Sequence, residues 1–195
     1  ALVVSTGADE VSQYVVGIGG AQQLAWHSYY LLEETLRYET PKVVVFNVYA
    51  LKYGTPQSEA YNRMTFDTMK WSGTKARGVL ASMRAEENFI DYVFPILRYH
   101  SRITQLEKED LKYILKAPKD ESDNGYLIKT GVLPMKPSDP ITAPPPELLP
   151  DTSVEYLDKI RALCEENGVE LVLIKAPTNS RGYWWYDEWE EQIVE

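Results

Sequence analysis

Apolar positions along the chain follow two rhythms, and both predict elements. Leu2–Val4 and Tyr14–Val16 are short apolar runs of strand type, and the second leads into Gly17-Ile18-Gly19-Gly20. From about Ala21 to Tyr38, Leu24, Ala25, Tyr29, Leu32 and Leu36 recur close to every 3.6 residues, which predicts a helix. Pro41 punctuates it, and Val43-Val44-Val45-Phe46 has no polar alternation, as expected of a strand buried on both faces. Strand, glycine turn, helix and strand make a βαβ pattern, whose crossover is right-handed in nearly all proteins.

The C-terminal part repeats that order. Asp151 or Thr152 is placed to cap a helix, with Glu155 positioned for a capping box. Val154, Leu157, Ile160 and Leu163 recur on one face, and Asn167-Gly168 supplies a stop at which glycine tolerates the left-handed conformation. Val169 to Ile174 then predicts a second buried strand, ended by Lys175-Ala176-Pro177. The intervening stretch is too long for a plain loop. Helical pattern is visible over Lys75–Asp91 and Gln105–Leu115, and Gly125–Gly131 suits a hairpin or an irregular segment. Pro134 to Pro150 holds seven of the 12 prolines and can be neither helix nor central strand. The expected organisation is one α/β domain over residues 1–195, with an insertion at about 52–150 covering one sheet edge.

Composition narrows the possible partners. The 195 residues carry 20 Lys plus Arg against 29 Asp plus Glu, a formal charge of −9. This balance argues against sequence-independent binding of nucleic acid or anionic lipid, where cationic neutralisation provides most of the affinity. The single cysteine, Cys164, excludes an internal disulfide and any cysteine-based zinc site, and its place on the apolar side of its helix predicts a buried, inert thiol. Val43 to Leu51 is the longest apolar run, nine residues interrupted by Asn47, against the roughly 20 that a membrane helix needs. No membrane span is therefore expected in this chain, nor any metal or cofactor. The chain opens at Ala1 without a basic-then-apolar leader, so any signal or anchor is expected to have been removed or never to have existed.

Candidate chemistry gathers at the glycine turn and at the strand ends. Backbone amides of a strand–glycine–helix turn, at the positive end of the helix dipole, can hold a phosphate or an acyl-transfer oxyanion. As a dinucleotide fingerprint the segment is poor, with Gln22 where the third glycine belongs and Asn47 where an acid is wanted. A tight turn that merely packs helix against strand is the competing reading. Asn47 and Tyr49 follow one predicted strand and Thr178-Asn179-Ser180 another, and ligands gather outside the carboxyl ends of parallel strands. His27 sits in the first helix beside Trp26 and Tyr29, where packing is the expected job. His100 lies in Arg98-Tyr99-His100-Ser101-Arg102, among cations that depress its pKa. Trp184-Trp185-Tyr186 and Trp189, set among acids, suit either a docked terminal helix or stacking on sugar rings.

Several of these segments together resemble the SGNH (GDSL-type) hydrolase superfamily, and most of all its bacterial cell-envelope branch of DltD-like and acyltransferase-like proteins. The resemblance is carried by Gly17-Ile18-Gly19-Gly20-Ala21-Gln22-Gln23, Ser28-Tyr29-Tyr30-Leu31-Leu32-Glu33-Glu34 and Pro41–Phe46. Tyr156–Ile160, Gly168–Ile174 and Lys175-Ala176-Pro177-Thr178-Asn179 are similar to the late helix and strand of that branch, and Arg98–Arg102 to part of its insertion. It covers most of Gln13–Glu195.

The resemblance implies a flavodoxin-like three-layer α/β/α sandwich with a mainly parallel sheet. It also implies serine ester chemistry outside the cytoplasm: hydrolysis or transfer of acyl groups on a small-molecule or carbohydrate ester of the cell envelope. It places the oxyanion glycine at Gly19 or Gly20, while its Gly-x-Asn-Asp block has no clean match, Asn47 or Tyr49 lying near that place. Substrate contacts at Asn47, Thr178 and Asn179 are expected from their position after the predicted strands. The family's Gly-Asp-Ser and Asp-x-x-His blocks are not found. Ser5 follows an apolar strand but lies in Ser5-Thr6-Gly7, so the nucleophile is unassigned. The chain is expected to be an internal piece of a longer hydrolase, as its abrupt ends suggest, or a degenerate member that kept the scaffold. Two other functions stay open: a non-catalytic glycan-binding module using Trp184 and Trp185, and a nucleotide-binding domain using Gly17–Gly20.

Overall fold

The computed structural model describes residues 2–9, 12–17, 23–56, 58–94, 148–175 and 189–193. Four strands, β1 (Leu2–Asp9), β2 (Ser12–Gly17), β3 (Val43–Asn47) and β4 (Glu170–Ile174), form one sheet in the order β2-β1-β3-β4. Helices among the described residues include α1 (Ala25–Leu36), α2 (Glu59–Phe66), α3 (Gly73–Ser82), α4 (Phe89–Val93) and α5 (Asp151–Glu166). The protein is a mixed α/β domain.

The sheet departs from the mainly parallel one expected. β1 pairs antiparallel with both β2 and β3, and only the β3–β4 pairing is parallel. The reason is local: β1 and β2 are separated by two residues, enough for an antiparallel return but far short of a parallel crossover. Because β2 and β3 both oppose β1, they run parallel to each other. The β2–α1–β3 connection is thus a crossover that steps over β1, while β3 reaches its neighbour β4 through α5.

Among the described residues, β3 and β4 bury one face far more completely than the other. In their register Val44 lies beside Leu171 and Phe46 beside Leu173. Val44 and Phe46 are fully buried, and they share one apolar cluster with Trp26 and Leu32 of α1 and Leu157 and Ile160 of α5. The opposite row, Val43, Val45 and Asn47 beside Glu170, Val172 and Ile174, is half-buried or exposed. Neither strand is the doubly covered element its apolar run predicts.

Helix boundaries follow local chemistry. α1 starts at Ala25, four residues later than expected, and α5 starts at Asp151 behind Pro150 with no side-chain cap. Glu155 closes no capping box and instead pairs with Lys159. Gly168 ends α5 as expected, with φ +66°. The single helix expected over Lys75–Asp91 is two, because the Asn88 side chain accepts the Ile90 N–H and starts α4 afresh. The described part of the insertion also lies elsewhere than expected. Rather than covering a sheet edge, α3 packs on α1, with α2 and α4 against α3.

Candidate functional site

β2, β3 and β4 point the same way and deliver their carboxyl ends to one edge of the sheet. Val3 pairs with Gly17 on one side and Val45 on the other, so Gly17, Val45 and Val172 lie in one row, with Asn47 and Ile174 two residues beyond. Gly17 and Ile174 belong to opposite outer strands, three strand spacings or about 14 Å apart. Asn47 stands between them on an inner strand.

Asn47 is already employed there. Its Oδ1 accepts the Tyr49 N–H at 3.1 Å and starts the 3₁₀ turn Val48–Leu51, the turn that asparagine at a strand end favours. The turn presents Tyr49 and Tyr53 to solvent, with the Lys52 ammonium 5.6 and 5.2 Å from their ring centroids. The start of α5 closes against the same stretch. Ser153 Oγ donates to the Tyr53 carbonyl at 3.2 Å, and a Cβ on Gly54 would stand 2.4 Å from Pro150 Cβ. The N-terminus of α5, its positive dipole end, therefore sits beside Tyr53 and Gly54, after the turn that Asn47 starts.

Gly19, Gly20, Thr178, Asn179, Trp184 and Trp185 lie outside the described residues, as do His100 and Ser180. Trp189 is buried, as a docked terminal segment requires. Ser5 is inside β1, paired with Val15 and Val43, and not on a turn after a strand. It therefore lacks the exposed strand-to-helix turn on which a nucleophilic serine is presented.

The structure gives His27 a structural role and shows how it is held. His27 is the third residue of α1, and its Nδ1 accepts the Leu24 N–H at 3.0 Å. Nε2 therefore carries the proton and donates to Asn62 Oδ1 at 2.9 Å, while Asn62 Nδ2 donates to the Ser82 carbonyl at 2.6 Å. Trp26 and Phe66 close over the ring at 5.5 and 5.4 Å between centroids. Burial pushes the imidazole down to about 4, only partly offset by the bond to Asn62. A neutral imidazole with both nitrogens engaged cannot serve as a base for a serine elsewhere. Cys164 is buried too, and its burial raises the thiol to about 11, so it is no nucleophile at neutral pH.

A separate cleft of about 370 Å³ opens on the C-terminal half of α1, lined by Leu31, Glu34, Thr35, Tyr38, Thr68, Met69 and Lys70. The Glu34 carboxylate accepts from Arg37 at 3.1 Å, Ser72 Oγ at 3.0 Å and the Tyr38 hydroxyl at 3.3 Å. It is a satisfied anchor between α1 and the start of α3. Among the described residues no group of three or more His, Cys, Asp or Glu could hold a metal ion, and no helix is long and apolar enough to cross a membrane.

Sequence reasoning missed Asn62 and Ser82. Their link to His27 joins α1 to α2 and α3 over long sequence separations. A signal did exist: histidine three residues after Leu24 occupies the place from which a capping-box side chain reaches back to the backbone. Compared with family models, curated proteins and solved structures, the chain matches none of them.

Proposed function

We propose that this chain forms the substrate-binding edge of an SGNH-type α/β domain whose parent protein acts on acyl esters of envelope carbohydrate. The observation that carries the reading is the common carboxyl edge of β2, β3 and β4, which supports one binding region between the glycine turn and the segment after Ile174. In this reading the Gly19 and Gly20 amides receive the developing oxyanion, and Asn47, Thr178 and Asn179 line the carbohydrate. The span of about 14 Å between the outer strand ends suits a sugar ester rather than a small acyl group alone. The apolar row of half-buried Val43 and Val45 and exposed Val172 and Ile174 supports a further covering layer, and with it the flavodoxin-like three-layer sandwich, in which the reversed β1 is a departure.

Because His27 is engaged structurally, His100 is the remaining histidine of this sequence that could act as base. The second reading, a non-catalytic glycan-binding module, draws on the same edge. The exposed Tyr49 and Tyr53 rings favour it, since they offer stacking faces without requiring a nucleophile.

Two measurements on the protein separate the readings. A fluorophosphonate probe should label a serine of the full-length parent protein, since this chain by itself lacks the full triad, and O-acetylated oligosaccharide should quench tryptophan fluorescence. Labelling that is lost in His100→Ala supports the hydrolase. Quenching without labelling leaves the glycan module. The absence of both refutes the common edge as a carbohydrate site.

A further inference from the structure

We propose that His27 is an acid-released latch that holds the start of α1 against α2 and α3. This is independent of what the sheet edge binds. The latch is directional. Leu24 N–H donates to His27 Nδ1, His27 Nε2–H to Asn62 Oδ1, and Asn62 Nδ2 to the Ser82 carbonyl. Each partner can play only the role it has, so the arrangement admits a single neutral tautomer.

A second proton has one place to go, Nδ1, and there it faces the Leu24 N–H. Two donors then point at each other, and the bond that ties Leu24 to the helix must break. The new cation would also sit in the first turn of α1, where the helix dipole disfavours positive charge. Among the described residues, the groups around the ring offer it no anion. From α1 it meets Trp26, and from α2 Asn62 and Phe66; from α3 the Ser82 carbonyl is reached only through Asn62. On α4, Tyr92 lies beside Asn62 and gives its hydroxyl proton to Glu87 at 2.6 Å. That carboxylate is paired with Arg84 at 3.0 Å. Arg63 of α2 is turned to Glu59 at 2.8 Å and to the Asp91 carbonyl at 2.9 Å.

Burial of the imidazole agrees with release near pH 4 rather than near neutrality. The opening is local, because Gln23 Nε2 still donates to Ser28 Oγ at 2.9 Å and neither group titrates. Acid therefore frees the Leu24 amide while the rest of α1 stays docked.

Amide hydrogen exchange on the full chain, corrected for the intrinsic rate, tests this. Between pH 7 and about pH 4, Leu24 should lose about 10-fold of its protection while Ile160 in α5 keeps its own. His27→Gln supplies a side chain that can accept the Leu24 N–H without titrating, and should keep Leu24 protected across the range. Asn62→Asp places a carboxylate against Nε2–H and should move the release to higher pH. The latch is refuted by unchanged Leu24 protection in acid, by acid release persisting in His27→Gln, or by a release midpoint that does not move in Asn62→Asp. Loss of Ile160 protection in step with Leu24 would refute it as well, since the whole domain would then be unfolding.

Discussion

The two crossover helices do the same topological job and are built in opposite ways. α5 is amphipathic: Ser153, Tyr156, Leu157, Ile160 and Cys164 are buried, and its remaining positions are half-buried or face water. α1 buries Ala25, Trp26, His27, Ser28, Tyr30, Leu32 and Glu34, which together run around most of its circumference. The cause is position. α5 has a solvent side, whereas α1 is packed on by both α3 and α5. A helix enclosed in this way must satisfy most of its polar groups internally, and α1 does so through Gln23–Ser28, Leu24–His27–Asn62 and Glu34–Ser72, while Trp26 Nε1 is buried without a partner among the described residues. Enclosure brings polar specificity, and with it sensitivity to anything that alters those pairs.

Truncation should expose the difference most strongly. Leu32 and Leu157 are both almost fully buried. Leu32→Ala leaves a cavity walled by packed elements and should cost about 3–5 kcal/mol, while Leu157→Ala, on a helix able to settle inwards, should cost about 2–3 kcal/mol. Urea unfolding of the two variants measures the gap. Equal losses would mean that α1 is no more enclosed than α5.

Acid should separate the helices next. Folding holds the His27 imidazole neutral at about 4, below its ordinary 6.5. Its contribution is therefore whole above pH 6.5 and declines as pH falls towards 4, a loss of about 3 kcal/mol when complete. Cys164, buried in α5, is raised to about 11 and stays protonated throughout that window. His27→Gln should flatten the stability profile between pH 7 and 4, and Cys164→Ala should leave its slope unchanged.

Two glycines extend the comparison to the backbone. In an exposed helix, alanine for glycine stabilises by up to about 1 kcal/mol. At Gly78 of α3 the sign should reverse. The added Cβ would stand 2.5 and 2.9 Å from Phe66 ring carbons and 3.1 Å from Tyr30 Cγ, so overpacking should cost about 1–3 kcal/mol. Gly168, after α5, has open space around it but φ +66°, and Gly168→Ala should lose about 1 kcal/mol through backbone strain alone. Crystal structures of the variants should show displaced side chains around residue 78 and none around residue 168.

Legibility in the sequence followed the same division. α5 and β4 could be read from their own residues, because a one-sided helix prints a clean period and Asn167-Gly168 marks its end. The existence of β1, β2 and β3 was legible from their apolar runs, but the antiparallel sense of β1 was not. Pairing direction is set by the two-residue link between β1 and β2, a feature that hydrophobic period does not encode. His27 was readable as a packing residue, whereas its partners Asn62 and Ser82 were not, since nothing local joins positions 35 and 20 residues apart. Of the candidate site, the structure describes Asn47 and shows why its amide is there: it starts the 3₁₀ turn. Tyr49 follows in that turn, exposed, while Gly19, Gly20, Thr178 and Asn179 fall outside the described residues.

The smallest expected effect lies on the solvent side of α5. Lys159 pairs with Glu155 one turn earlier and lies 4.3 Å above the Tyr156 ring. Both partners of the ion pair are largely exposed, at 42% and 61%, so water screens the attraction and holding two long side chains in place costs entropy. Lys159→Ala should therefore cost no more than about 0.5 kcal/mol, and the part due to charge should vanish in 1 M salt, where the screening length is only about 3 Å. A loss that persisted in salt would assign the effect to the lysine stem packed on the Tyr156 ring. A loss above about 1 kcal/mol would show that this face of α5 is covered in solution, and that the contrast between an enclosed α1 and a water-facing α5 is smaller than the fold implies.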